Sequence, residues 1–147
     1  MIESTSRLML LLFSSVFFIF CHSNTLEGQA SYEILIGAWQ NELGSVLHID
    51  SIGSTGEIYG HYASSTGVDG KIFPLDGKVN ATTENPHEFN LAFMVRWEGY
   101  GSITSWTGYF IDDDKGSRIK TLWHLVRSGK EYDWERIITN SSTFSKM

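Results

Sequence analysis

From Gly37 onward the chain alternates apolar and polar residues in short runs separated by turn clusters. Nowhere does it hold apolar residues at i, i+3, i+4 and i+7 through three turns. A period of two predicts strands, and eight are expected, near 37–42, 45–50, 57–64, 71–79, 88–97, 103–112, 118–127 and 133–140. Every connection has hairpin length, so consecutive strands should pair antiparallel. Eight such strands can close into a barrel, which removes exposed edges and leaves room inside for one small ligand. The expected fold class is all-β, an eight-stranded antiparallel up-and-down β-barrel.

Alternation also assigns the faces. Ile58, Gly60, Tyr62 and Ser64 share one phase, as do Leu91, Phe93, Val95 and Trp97, and again Thr121, Trp123 and Leu125. Along each inward set the residues turn from aliphatic to polar and aromatic at one end. That end gathers Asn41, Ser45, Tyr62, Ser64, Ser102 and Thr104 among Trp97, Trp106 and Trp123. Uncharged donors and acceptors in an indole-walled cup cost roughly 1–3 kcal/mol each if unsatisfied, so the cup predicts a polar, neutral, planar guest.

Composition narrows the classes further. A chain of 147 residues with 41% apolar content can bury one core. Its fourteen glycines and many aromatics suit short strands and tight turns. Acidic residues outnumber basic ones 17 to 11, and no basic run could neutralise several phosphates, so nucleic acid is not an expected partner. Arg7 precedes an uncharged run, Leu8 to Phe20, that is too short to span a membrane, and small residues follow at Cys21 and Ser23. This predicts a signal peptide over 1–23, a short flexible lead-in over 24–34 and a barrel domain over 35–145, in a secreted protein with no membrane anchor. Cleavage after Ser23 would remove the only cysteine. Without a disulfide, core packing or subunit association must stabilise the barrel.

Enzyme chemistry has little to stand on. No G-x-S-x-G elbow, H-E-x-x-H pair or phosphate-cradling glycine loop occurs, and paired carboxylates fall on turns. Asp112-Asp113-Asp114 reads as a solvated hairpin tip. His48, His61, His87 and His124 are scattered without zinc-site spacing, so no metal is expected. Asn80-Ala81-Thr82 and Asn140-Ser141-Ser142 are glycosylation sequons, Asn80 being the better candidate because Asn140 shares strand phase with Ser142.

Five segments then carry a resemblance. Gly37-Ala38-Trp39-Gln40-Asn41-Glu42-Leu43-Gly44-Ser45, Gly60-His61-Tyr62, Val95-Arg96-Trp97, Trp106-Thr107-Gly108 and Thr121-Leu122-Trp123-His124-Leu125 occur in this order. They resemble the avidins and streptavidins, secreted tetrameric barrels that bind biotin, over about residues 37–144. The resemblance implies that Asn41, Ser45 and Tyr62 donate to the ureido oxygen of biotin and that Ser64 accepts from one ureido N–H. It places Thr104 at the ring sulfur, walls the ring with Trp97, Trp106 and Trp123, and fills the apolar remainder with Leu43 and Leu125. The backbone at Thr66 to Val68, with Ser102, would hold the carboxylate, and Trp134 would contact the site of a neighbouring subunit in a homotetramer. Ser142 stands where the family has an Asp or Asn accepting the second ureido N–H, which implies tight but weakened binding; a one-residue shift in the loop between the seventh and eighth strands would bring Ser141 or Asn140 there instead. Biotin would be a ligand, and no cofactor is implied. Two other readings remain open: a lipocalin-like secreted barrel for another small molecule, and an avidin-like self-association module without a ligand.

Overall fold

The computed structural model describes residues 32–67, 70–81 and 88–147. Eight strands run in chain order: β1 (Gly37–Asn41), β2 (Val46–Ile52), β3 (Glu57–Ala63), β4 (Ile72–Ala81), β5 (Glu88–Trp97), β6 (Ser102–Asp113), β7 (Gly116–Arg127) and β8 (Ile137–Lys146). Each pairs antiparallel with the next, and β8 returns to β1 through Asn41 opposite Phe144 and Trp39 opposite Lys146, so the sheet closes into a barrel.

The eighth strand differs most from expectation. Instead of 133–140 it occupies Ile137–Lys146, preceded by a 3-10 turn at Asp133–Glu135. The run Thr139-Asn140-Ser141-Ser142-Thr143 has no apolar alternation to announce a strand. It pairs residue by residue with β7 all the same, and the residues that follow it, Phe144 to Lys146, close the barrel against β1. The packed unit also begins before residue 35. Tyr32 sets its ring against Phe89 at 5.7 Å, and Glu33–Leu35 form a 3-10 turn whose Leu35 is fully buried. The 24–31 part of the expected lead-in lies outside the described residues.

The strands are amphipathic in the expected sense, β5 alternating exposed and buried along its whole length. Trp39 donates its indole N–H to the carbonyl of Leu35 at 2.8 Å and meets Phe110 edge-on, while Phe89 stacks on Phe110 at 5.4 Å. With Ile58 and Val79 these residues plug one end of the barrel. Above them Phe93 stacks on Trp106 at 5.0 Å, and Tyr62 packs against both Trp106 and Phe144. This aromatic layer is the floor of the open end.

Two glycines let neighbouring strands approach this closely. A Cβ on Gly60 would lie 2.0 Å from the carbonyl oxygen of His48, and one on Gly108 would lie 1.9 Å from that of Lys120. Both obstacles are backbone and cannot swing away. Gly108→Ala is therefore expected to destabilise the barrel by about 3 kcal/mol, visible as a lower urea midpoint at unchanged slope. An unaltered midpoint would show that the β6–β7 contact yields easily.

Candidate functional site

The open end holds a cavity of about 420 Å³, the size of a small-molecule pocket. Its wall includes Asn41, Leu43, Ser45, Tyr62, Ser64, Thr66, Trp97, Ser102, Thr104, Trp106, Trp123, Leu125 and Ser142. Thirteen candidate residues from six strands and two loops thus converge on one cup. Val68 lies outside the described residues, and Trp134 is absent from this wall.

The tight turn after β1 orients the buried Asn41 amide. Gly44 takes φ 85° and donates its N–H back to the carbonyl of Asn41 at 3.0 Å, a conformation open to glycine at little cost. Within that turn the Asn41 side-chain oxygen accepts the backbone N–H groups of Leu43 at 3.1 Å and Ser45 at 2.9 Å. Its acceptor is thereby occupied, and the amide NH₂ is left as a donor toward the cavity and toward Ser142 Oγ at 3.5 Å.

Ser45 and Tyr62 are poised the same way. Ser65 gives its hydroxyl proton to the Leu43 carbonyl at 2.7 Å and its backbone N–H to Ser45 Oγ at 3.1 Å. The proton of Ser45 is then left for a guest, for the Tyr62 phenol oxygen or for Ser65 Oγ. Burial pushes the Tyr62 phenol above its ordinary pKa, and a hydrogen bond with Ser45 only partly offsets this, so Tyr62 stays protonated and can donate. Three donors, an amide, an alcohol and a phenol, therefore stand together on the β1–β3 side.

Acceptors and apolar walls complete the cup. Ser64 commits its proton to the Thr66 carbonyl at 2.8 Å, which leaves lone-pair capacity for a guest N–H. Trp97 donates its indole N–H to Thr104 at 2.7 Å, so the Thr104 proton can turn inward. Leu43 is exposed and Leu125 half-buried, both offering apolar surface at the mouth. Ser142 is already in demand, with Trp123 Nε1 at 3.2 Å and Asn41 Nδ2 at 3.5 Å both aimed at its oxygen. The buried Trp106 N–H has no partner among the described residues.

Sequence reasoning missed two cations at the mouth. Arg127 and Lys130 join the wall, beside Tyr100 and Ser128. The phase of Thr121, Trp123 and Leu125 extends to Arg127, so continuing the alternation by one step would have found it. Its Nε donates to the carbonyl of Glu135 at 2.8 Å, which fixes the guanidinium at the rim. The Asp112–Asp114 turn carries structural contacts instead: Asp113 accepts two bonds from Arg118, and Asp112 accepts one from Ser117.

A closed eight-stranded barrel whose open end presents converging neutral donors within an indole wall defines a small-ligand-binding barrel. The chain belongs to the avidin family, whose family model matches residues 29–147. It is 30% identical to avidin of Gallus gallus over 154 residues, covering 100% of this chain and 97% of that protein. To avidin-related protein 4/5 of Gallus gallus it is 28% identical over 150 residues, covering 100% and 97%. Among solved structures, xenavidin superposes with a TM-score of 0.67 at 32% identity, covering 77% of this chain and 96% of that one. Apo shwanavidin gives 0.64 at 31% identity, covering 76% and 97%.

Proposed function

We propose that this protein is a secreted, non-catalytic biotin-binding protein that works as a homotetramer. The observation that carries the reading is the Asn41 amide. Its oxygen is pinned by two backbone N–H groups, so its NH₂ can only donate, and it does so beside the hydroxyls of Ser45 and Tyr62. A cyclic urea oxygen is a strong acceptor whose polarised form gains from three such donors in a dry cup. Ser64 would accept one ureido N–H and Thr104 would meet the ring sulfur. Trp97, Trp106 and Trp123 would cover the ring faces. The valeryl carboxylate would lie near Ser102 and the Thr66 backbone, within the field of Arg127 and Lys130.

Two surface features support association. Outward-facing Ile103, Val126 and Ile137 are successive register partners across β6, β7 and β8, and all three are largely exposed. Such a contiguous apolar row suits an interface between barrels. Trp134 is 76% exposed, stacked on Tyr132 and absent from the wall of its own cup. Secretion follows from the signal peptide expected over 1–23, and the exposed Asn80 at the end of β4 is the place for a glycan.

Ser142 sets the expected affinity. A hydroxyl oxygen accepts two bonds, and Trp123 with Asn41 already claims both. A guest N–H must therefore displace one of them, whereas a carboxylate could satisfy all three donors and polarise the urea. Calorimetric titration should show biotin binding with quenched or shifted tryptophan emission, and Ser142→Asp should tighten it by about one to two decades. No heat and no emission change at micromolar biotin would overturn the reading. An unchanged affinity in Ser142→Asp alone would remove Ser142 from the ureido site.

A further inference from the structure

The outer face of the β2–β3 ladder carries a cluster that spacing along the chain concealed. His48 and His61 are thirteen residues apart yet are direct register partners. Their rings stack at 4.6 Å with an interplanar angle of 11°, which turns both Nδ1 atoms toward the same carboxylate. Asp50 receives His48 Nδ1 on one oxygen at 2.7 Å and His61 Nδ1 on the other at 3.2 Å. The carboxylate reaches both because β2 is irregular there. Ile49 pairs with Gly60 and Ser51 with Tyr59, so Asp50 is an extra residue with no partner on β3. A bulge of this kind re-aims a side chain, and here it aims Asp50 at the two imidazoles.

We propose that His48, Asp50 and His61 form a binding site for a divalent transition-metal ion of the zinc class. The three donor atoms lie within 4.8 Å of one another. A tetrahedral ion with bonds of about 2.1 Å spaces its ligand atoms by about 3.4 Å, so small side-chain rotations suffice. Two imidazole nitrogens and one carboxylate oxygen match the ligand preference of zinc, nickel or copper, and are poor for calcium or magnesium, which prefer all-oxygen sets. Metal binding at Nδ1 moves each ring proton to Nε2, and both rings are partly solvent-exposed, so water can solvate it there. A solvent molecule would fill the fourth position. The ion would clip β2 to β3 across the barrel from the Ile103–Val126–Ile137 row, independently of the cup and of any ligand in it.

Titration of the protein with zinc chloride in calorimetry, alongside thermal unfolding with and without the ion, tests the site. The expected result is one ion per chain and a raised unfolding temperature. His48→Gln and His61→Gln should each weaken zinc binding by at least about tenfold, while both variants keep their fold and their tryptophan emission spectrum. His124→Gln, on β7, should leave zinc binding unchanged and so excludes uptake by surface histidines in general. Absence of saturable binding at millimolar zinc, or equal binding in wild type and the two β2–β3 variants, would overturn the proposal.

Discussion

Asn41→Ala is expected to weaken biotin binding by about three decades, roughly 4 kcal/mol. The substitution deletes a donor to the ureido oxygen, and it also releases the N–H groups of Leu43 and Ser45 that the Asn41 oxygen holds at 3.1 and 2.9 Å. Asn41→Asp separates the two effects. Aspartate keeps both backbone contacts and the shape of the turn, but it has no N–H to donate and sets a negative charge against the urea oxygen. Affinity should therefore fall at least as far in Asn41→Asp as in the alanine variant while thermal stability stays near wild type. If Asn41→Asp binds biotin normally in calorimetry, the amide is only a structural clamp for the turn.

The second large effect is expected at Trp134. An indole that is 76% exposed, stacked flat on Tyr132 at 4.5 Å, leaves a broad apolar face without cover in the single chain. Seated over the cup of a neighbouring subunit, it would exclude water from the ligand tail and be buried itself. Trp134→Ala should then raise the biotin dissociation constant by about a hundredfold, since burying a large aromatic contributes roughly 3 kcal/mol. Light scattering should also show biotin shifting the wild-type assembly toward the larger form and leaving that of Trp134→Ala unchanged. Wild-type affinity in the alanine variant would mean that each barrel completes its own site.

The barrel and most of the residues lining its cup were legible because strand phase is a strong signal wherever one face is buried. The alternation in Leu91, Phe93, Val95 and Trp97 located the interior of β5, and residues at the same height on other strands then had to meet. The resemblance to the avidins added roles for particular side chains that phase alone leaves blank. Three things were hidden. The polar run around Asn140 gave no sign of β8, because its place in the sheet comes from register with β7, with only Phe144 to Lys146 paired to β1. Arg127 was overlooked at the mouth because a charged residue at a strand end looks like the start of a loop. The His48–Asp50–His61 cluster depends on cross-strand register and on one extra residue in β2, and neither can be read from spacing in a single chain.

A crystal structure of the protein with biotin bound tests the central claim most directly. The ureido oxygen should sit within about 3 Å of Asn41 Nδ2, Ser45 Oγ and the Tyr62 phenol oxygen together, with the bicyclic ring between Trp97, Trp106 and Trp123. Biotin found with its ureido group turned to solvent, or held by none of those three donors, would contradict the account.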